Sequence, residues 1–322
     1  MKTKDNKPLV MVTGANGFIG SALVSFLKEK KYLVRQSLRK KNLIKPKDEF
    51  RFFFNGDIDE STNWMDGLKD VDILVHTAAR VHIMKDKALD PLSEFRKVNA
   101  LGSANLARQA AKSGVKRLIY LSSVKVNGES SFLSNPFKPS DLPEPIGPYA
   151  VSKAEGEFEL MQIASETDLE IVVIRLPLVY GPGVSANLGL LISAINRGLP
   201  LPLKLITENL RSMVSIYNLI DFILFCFDKE NAKNEIFMIS DGQDLSTAKL
   251  VEKITQALGK KNIMFPFPVL LLKQIGFILG KKDFFDRLTE NLQVDISKNL
   301  SMLGWQPAFS VDESLKKTVK NL

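Results

Sequence analysis

Three side chains of this sequence have the types and spacing needed to move a proton at an oxygen atom. Tyr149 and Lys153 are four residues apart, which places them side by side on one face of a helix. An ammonium group near a phenol stabilises the phenolate and would lower the pKa of Tyr149 toward working pH. Ser123 follows an apolar run and could hydrogen-bond the same oxygen as the phenol. The pattern predicts acid–base chemistry at a carbonyl or an alcohol.

A glycine-rich turn near the start of the chain favours this catalytic interpretation over a surface tyrosine beside a solvated lysine. An apolar run ends there in three glycines with the spacing G-x-x-G-x-x-G. The residues of the turn expected to contact a ligand are Gly14, Asn16, Gly17, Phe18, Ile19 and Gly20. Glycines let the backbone approach a pyrophosphate, and free N–H groups at a helix start favour negative charge. We therefore predict dinucleotide binding, with proton exchange at Tyr149 while a hydride moves to or from a nicotinamide.

Strand-like and helix-like segments alternate through the first half of the chain. The predicted strands cover residues 32–38, 51–55, 71–76, 116–121 and 170–175, and the predicted helices cover 18–31, 64–69, 90–111 and 149–166. This alternation predicts an α/β fold with a Rossmann-type doubly wound parallel sheet and a smaller C-terminal substrate-binding domain. We assign residues 1–180 to the dinucleotide-binding domain and 181–322 mainly to the substrate-binding domain. A strand near 236–240 is expected to return to the main sheet.

The end of the second predicted strand bears on cofactor choice. In NAD-preferring folds of this type an acidic residue there binds the ribose 2′-hydroxyl. Here the strand ends in Arg39 and Lys40, without an acid. Both side chains could bind a 2′-phosphate, which favours NADP(H) over NAD(H). The alternative is a solvated basic turn.

Composition narrows the classes of partner. Hydrophobic residues make up 45% of the chain and the net charge is +8. Basic residues crowd the region 28–47 but form no aromatic-interleaved motif, so we expect no nucleic-acid partner. The single Cys226 excludes an internal disulfide and a cysteine-based metal cluster. His76 and His82 are too isolated to suggest a metal site.

Two segments bear on membrane association. The first seven residues lack the apolar core of a signal peptide, so we expect a cytoplasmic protein. The apolar stretch 264–279 is too short to span a bilayer and is interrupted by Pro266, Pro268 and Lys273. We expect a core-facing amphipathic helix there and no integral membrane segment.

Short motifs that follow one another along nearly the whole chain point to a known family. They are Thr13 to Gly20, Gly56-Asp57-Ile58, His76 to Ala79, Val98-Asn99, Leu121-Ser122-Ser123, Tyr149-x-x-x-Lys153, Arg175 to Gly183 and Arg211-Ser212. This ordered set resembles the extended short-chain dehydrogenases/reductases of the NAD-dependent epimerase/dehydratase type, which act on nucleotide sugars. The resemblance implies cofactor contacts from Asp57, Ile58, Ala78, Ala79, Asn99, Lys153 and Pro177. It implies substrate contacts from His82, Lys125, Asn187, Leu188 and Arg211, with Arg211 holding a phosphate.

Departures from the family pattern narrow the reaction. The family's 4,6-dehydratases carry an Asp-Glu pair just after the catalytic Ser or Thr, whereas Val124 and Lys125 follow Ser123 here. Hydride chemistry at sugar C4 remains, as reduction or as epimerisation. Stretches around His82, Lys125 and Tyr180 resemble a bacterial subgroup from O-antigen gene clusters that reduces UDP-4-keto-6-deoxy-N-acetylglucosamine; similar proteins are named UDP-glucose 4-epimerases.

The expected function is therefore NADPH-dependent reduction of a UDP-4-keto-6-deoxy sugar for surface-polysaccharide (lipopolysaccharide) precursor synthesis. The first alternative is a UDP-glucose or UDP-N-acetylglucosamine 4-epimerase with tightly bound NAD. A non-catalytic dinucleotide sensor is a further alternative, which the retention of Ser123, Tyr149 and Lys153 disfavours. The expected partner is a UDP-sugar, and the sequence leaves a homodimer open.

Overall fold

A seven-stranded parallel sheet forms the centre of the molecule. The computed structural model describes residues 7–40, 52–81, 88–280 and 282–320. The strands of this sheet are β1 (Leu9–Thr13), β2 (Leu33–Leu38), β3 (Phe52–Phe54), β4 (Ile73–His76), β5 (Arg117–Ser123), β6 (Glu170–Leu176) and β9 (Glu235–Met238). Their order is β3-β2-β1-β4-β5-β6-β9, and every neighbouring pair is parallel. The predicted Rossmann-type fold is confirmed, and the strand order reverses between β1 and β4, where such sheets bind ligands.

Helices and a second small sheet complete the described part of the chain. The helices are α1 (Phe18–Glu29), α2 (Met65–Leu68), α3 (Pro91–Arg96), α4 (Ser103–Lys112), α5 (Gly147–Glu166), α6 (Ala186–Asn196), α7 (Ile216–Phe225), α8 (Thr247–Ala257), α9 (Val269–Ile278), α10 (Lys282–Thr289) and α11 (Val311–Val319). Two further strands, β7 (Leu178–Tyr180) and β8 (Met213–Ser215), pair in parallel. The sequence patterns did not predict this two-stranded sheet, because each strand has only three residues.

The segment predicted as one helix over 90–111 is divided. Its predicted start is confirmed, since the Asp90 carboxylate accepts a 3.1 Å hydrogen bond from the Ser93 N–H and Pro91 is the first helical residue. A π-helical turn at Lys97–Gly102 then separates α3 from α4. Such turns are common at functional sites, and this one contains Asn99, which the sequence places in the cofactor site.

Alternate side chains of the central strands pack on opposite faces of the sheet, as the pleat requires. In β1, Val10 and Val12 face the layer formed by α1 and α7, whereas Met11 faces the layer formed by α4 and α5. All three side chains are fully buried. Burial on both faces explains the near-continuous apolar character of these strands.

A third core lies in the C-terminal half, here called the C-terminal cluster. Its buried members include Leu188, Ile192, Leu203, Val251, Ile254, Leu272, Val311 and Leu315. The expected core-facing helix within 264–279 is present as α9, but its outer side is apolar and not polar as in an amphipathic helix. α9 buries only Leu272 and Gly276, because a single face of this helix reaches the cluster. None of the helices in the described ranges is long and apolar enough to cross a membrane.

Candidate active site

Ser123 and Tyr149 meet at the carboxyl end of the central sheet. Ser123 is the last residue of β5, and Tyr149 lies in the first turn of α5. The Ser123 hydroxyl lies close enough to the Tyr149 phenol to influence its pKa. The Ser123 hydroxyl also accepts a 3.3 Å hydrogen bond from the Lys125 N–H and so caps the short 3₁₀ turn Val124–Val126. This bond fixes the serine rotamer, which orients the hydroxyl for a shared oxygen of a substrate.

Lys153 lies one helical turn after Tyr149 and is 1% exposed. Its ammonium donates a 2.7 Å hydrogen bond to the Leu121 carbonyl and lies 4.1 Å from the centre of the Tyr120 ring. Burial lowers the pKa of Lys153 to about 7, because desolvation disfavours the ammonium, and the nearby Glu157 carboxylate opposes this effect. Lys153 therefore loses its proton far more readily than a solvent-exposed lysine does.

The sequence predicts a lowered pKa for Tyr149, and this prediction is wrong. Burial raises the pKa of Tyr149 above its usual value, and the nearby Ser123 hydroxyl only partly opposes this. The physical reason is that desolvation disfavours the phenolate, while the Lys153 ammonium donates its hydrogen bond to the Leu121 carbonyl. Tyr149 is therefore a protonated phenol at neutral pH, which suits it to donate a proton.

Asn99 connects the cofactor side of the site to the catalytic helix. Its side-chain amide donates to the Arg80 carbonyl at 2.9 Å and to the Ser152 hydroxyl at 3.0 Å, and its side-chain oxygen accepts from the Arg80 N–H at 2.9 Å. Its own carbonyl accepts a hydrogen bond from the Tyr120 hydroxyl. Asn99 is buried, so these contacts make it a residue that positions the loop after β4 against α5.

The glycine turn between β1 and α1 fits a dinucleotide. Gly14 has a φ of +61°, and a Cβ atom there would lie 2.9 Å from the Ala78 backbone; at Gly20 it would lie 2.2 Å from the Gly14 carbonyl. The turn therefore depends on glycine for close packing. α1 begins after Gly17 with no side-chain cap and no acidic residue in its first turn. Its N–H groups at Phe18 and Ile19 are thus suited to bind a pyrophosphate.

Several predicted cofactor residues surround this turn. Asn16 is exposed beside it, and Ala78 and Ala79 form the half-buried backbone after β4. The loop is held by hydrogen bonds from the Thr77 hydroxyl to the Thr13 carbonyl at 2.6 Å and between the Thr13 hydroxyl and His76 Nδ1 at 2.7 Å. Pro177 is buried between β6 and β7 at the same edge of the sheet.

Arg39 and Asp57 form an exposed ion pair with each other. Arg39 follows β2, and Asp57 follows β3, so the pair joins the ends of two neighbouring strands. Ile58 is half-buried, and its side chain packs against Gly102. A Cβ atom at Gly102 would lie only 2.7 Å from the Ile58 side chain. The Asp57 carboxylate therefore offsets part of the positive charge that Arg39 places at the end of β2.

Two arginines lie near enough for their charges to interact on the predicted phosphate side of the site. The Arg211 guanidinium donates a 3.1 Å hydrogen bond to the Glu290 carbonyl. Burial and, to a smaller extent, the positive charge of Arg287 lower the pKa of Arg211 to about 10, while Glu290 and Glu129 oppose the shift. Two like charges held together are suited to a dianionic group. Sequence reasoning missed Arg287, because one arginine on the short helix α10 gives no signal before the fold brings it beside Arg211.

The other residues that were predicted to contact the substrate lie in different kinds of environment. Asn187 is exposed in the first turn of α6, whereas the Leu188 side chain is buried in the C-terminal cluster, so Leu188 can face a ligand only through its backbone. Lys125 forms an ion pair with Glu129 at 2.6 Å. His82 lies outside the described residues. His76 has both ring nitrogens bonded inside the core, consistent with a packing role.

The parallel sheet, the glycine turn and the Ser123, Tyr149 and Lys153 grouping define a Rossmann-type oxidoreductase class of enzyme. Residues 10–240 match the model of the NAD dependent epimerase/dehydratase family. The chain belongs to this family.

Curated and solved relatives agree with this assignment. The chain is 44% identical to a UDP-glucose 4-epimerase of Vibrio cholerae over 97% of this chain and 94% of the relative. It is 26% identical to a solved UDP-glucose 4-epimerase with UDP-glucose from Thermotoga maritima, with a TM-score of 0.72 and 97% of each chain covered. The fold is also similar to that of MoeE5 in complex with UDP-glucuronic acid and NAD, with a TM-score of 0.77, 23% identity and 97% of each chain covered.

Proposed function

We propose that this enzyme epimerises a UDP-hexose at sugar C4 with a tightly held NAD that is regenerated in every cycle. The observation that carries the proposal is the 44% identity over nearly the full length to a UDP-glucose 4-epimerase. The grouping of Ser123, Tyr149 and Lys153 beside the glycine turn supports it, because this site has both a proton donor and a dinucleotide cradle. The reductase predicted from the end of β2 becomes the second candidate.

The residues of the chain handle the proton and hold the sugar. When bound, NAD supplies hydride acceptance from C4 and hydride donation back to the ring. Tyr149 takes the proton of the 4-hydroxyl during oxidation once its own phenol proton has left, and the resulting phenol returns a proton during reduction. Ser123 hydrogen-bonds the same oxygen. Arg211 and Arg287 hold the diphosphate, so the sugar can change face while the nucleotide stays bound.

Elimination of water is disfavoured by the residues after Ser123. Val124 is buried and apolar, and Lys125 is paired with Glu129. A dehydratase needs a carboxylic acid and a base at the sugar, which these two positions do not supply.

The test is the fate of the cofactor during turnover. Purified enzyme is denatured, the released nucleotide is identified, and native enzyme is incubated with UDP-galactose alone. We expect released NAD and conversion to UDP-glucose without added cofactor. Absence of interconversion, with stoichiometric NADPH oxidation on addition of UDP-4-keto-6-deoxy-N-acetylglucosamine, would contradict the epimerase.

That contrary outcome would favour the second candidate, an NADPH-dependent 4-reductase that supplies precursors for surface polysaccharides. The observation behind it is that β2 is followed by Arg39 and Lys40 and no acid. The ion pair between Arg39 and Asp57 weakens this argument, because the carboxylate offsets part of the charge that would attract a 2′-phosphate.

A further inference from the structure

The surface of α9 presents an apolar face that packs against none of the described core clusters. Leu270, Phe277 and Ile278 are 69%, 73% and 80% exposed. With 3.6 residues per turn, these three side chains lie together on the side of the helix opposite Leu272 and Gly276. Leu272 and Gly276 face the molecule, where a Cβ atom at Gly276 would lie 2.4 Å from the Phe285 ring. The core contact of α9 therefore leaves its outer face apolar.

An exposed apolar face of this kind needs an explanation. Single exposed apolar residues are common on protein surfaces, but contiguous patches mark interaction sites. Leu271 is 44% exposed and extends the same face, and Leu279, the residue that follows the helix, is 62% exposed. Gln274 is polar and exposed and lies at the centre of this face, between Leu270 and Ile278. We call these exposed residues of 270–279 the α9 face.

Lysines predominate in the sequence around the α9 face, although α10 beside it carries Asp283 and Asp286. Between residues 253 and 282 the sequence contains six lysines and no aspartate or glutamate. Lys260 and Lys261 are exposed just before the helix, and Lys273 is half-buried within it. An apolar helix face accompanied by lysines is the signature of a helix that lies in the interface of a bilayer with anionic lipids.

The dimensions of the α9 face argue against a stable contact with a second copy of the chain. A helix of ten residues is about 15 Å long and about 10 Å wide. A stable protein interface needs about 800 Å² from each partner, several times the area that one face of such a helix offers. Insertion among lipid headgroups has no such requirement, because the bilayer covers every exposed side chain it can reach.

We propose that the α9 face docks this enzyme onto the surface of an anionic lipid bilayer. α9 packs against α10, and α10 carries Arg287, which lies near Arg211 at the phosphate side of the site. Docking through the α9 face therefore places the phosphate-binding end of the site near the membrane surface. The helix lies on the bilayer and does not cross it.

The experiment measures binding to vesicles by co-sedimentation. One set of vesicles contains phosphatidylcholine with about a third phosphatidylglycerol, and the other contains phosphatidylcholine alone. We expect the full-length enzyme to bind the anionic set, and Phe277→Glu to weaken this binding by about tenfold or more, because it places a charge in the apolar face. Leu300→Glu is the matched control, since Leu300 is 58% exposed on a different element, the turn Asn299–Leu303.

A second variant tests the electrostatic part. Lys260→Glu with Lys261→Glu is expected to abolish the preference for anionic vesicles, since lysines near an anionic lipid surface are attracted to it and glutamates are repelled. Activity on a UDP-sugar in solution is measured for every variant and is expected to stay unchanged, which separates this proposal from the proposed function.

Three results would overturn the docking proposal. The first is that the unmodified enzyme fails to bind anionic vesicles. The second is that Phe277→Glu binds as well as Leu300→Glu. The third comes from light scattering: if Phe277→Glu converts a dimer into a monomer and vesicle binding is absent, the α9 face is covered by a second copy of the chain instead.

Discussion

Lys153 lies with its ammonium 4.1 Å from the centre of the Tyr120 ring, on a side chain that is 1% exposed. The ring face and the Leu121 carbonyl, 2.7 Å away, replace only part of the water that the ammonium loses on folding. The pKa of Lys153 consequently falls to about 7 through burial. Burying the Lys153 ammonium thus costs free energy of folding, at a position where the proposed reaction uses this residue.

The first prediction concerns stability and pH. Because the pKa of Lys153 is about 7 in the folded state and 10.5 in a model compound, the unfolded chain binds one more proton between these values. Stability linked to Lys153 therefore rises with pH in this window, and the penalty is greatest below pH 7. Lys153→Met should remove this rise, which amounts to about 2 kcal/mol between pH 7 and pH 9.

The measurement is the free energy of unfolding of both proteins from denaturant titrations at several pH values. The hydrogen bond lost to the Leu121 carbonyl shifts the variant by a constant amount, so the dependence on pH is the informative quantity. If the free energy of unfolding of both proteins depends on pH in the same way, Lys153 has the same pKa in the folded and the unfolded state. The variant should also lose turnover.

The second prediction concerns the proton donor. Tyr149→Phe should keep the fold and the cofactor affinity and reduce turnover by at least about 10²-fold, the usual contribution of a general acid. Ser123→Ala should have a smaller effect on turnover, because the phenol remains, but it also removes the cap of the turn Val124–Val126. Steady-state kinetics with cofactor titration makes the comparison; near-normal turnover of Tyr149→Phe would exclude the phenol from the mechanism.

Patterns that repeat along the chain allowed the fold to be predicted. Apolar strands alternating with helices and the glycine turn gave the order of elements from β1 to β6 correctly. The division of the helix at Lys97–Gly102 was not predictable, because a π-helical turn depends on the contacts of Asn99 with Arg80 and Ser152. The exposure of α9 was missed for a similar reason, since apolarity alone does not tell how much of a helix the neighbouring elements can cover.

For the candidate site, the sequence predicts that Tyr149 and Lys153 lie on one helix, but it does not predict their electrostatics. The spacing of Tyr149 and Lys153 correctly placed them on successive turns of one helix. It did not reveal that burial acts on both groups, raising the pKa of Tyr149 and lowering that of Lys153. Arg287 became recognisable only through its position near Arg211.

The third prediction concerns Arg211 and Arg287. Arg211→Ala and Arg287→Ala should each raise KM for the nucleotide sugar by about tenfold or more and change kcat much less, because a remote phosphate contact binds substrate and transition state alike. In the double variant KM should rise by less than the product of the two single-variant increases, since the two charges repel each other in the free enzyme. Exposed Arg197 provides the control substitution to Ala. An unchanged KM would place the diphosphate elsewhere.

The fourth prediction concerns cofactor choice. Arg39→Asp removes the cation that pairs with Asp57 and places two carboxylates together at the ends of β2 and β3. Affinity for NADPH should fall far more than affinity for NADH, because a 2′-phosphate would be repelled. Fluorescence titration with each reduced cofactor measures the ratio. Equal losses for both cofactors would mean that Arg39 does not lie near the adenosine ribose.

The last prediction compares two buried ion pairs of the same type. Arg175 is paired with Glu157 of α5 at 2.7 Å, and Arg117 is paired with Glu170 at 2.5 Å. All four side chains are less than 10% exposed. Of the two pairs, the first is next to the proposed active-site lysine, because Glu157 lies one helical turn after Lys153.

Glu157→Gln and Glu170→Gln should both destabilise the fold, by about 3 to 5 kcal/mol each, because each leaves a buried guanidinium without its carboxylate. They should differ in catalysis. The Glu157 charge raises the pKa of Lys153 against the effect of burial, so its removal should lower that pKa further. The pH profile of kcat should therefore shift to lower pH in Glu157→Gln and stay in place in Glu170→Gln. An identical profile in both variants, at equal loss of stability, would limit Glu157 to a structural role shared with Glu170.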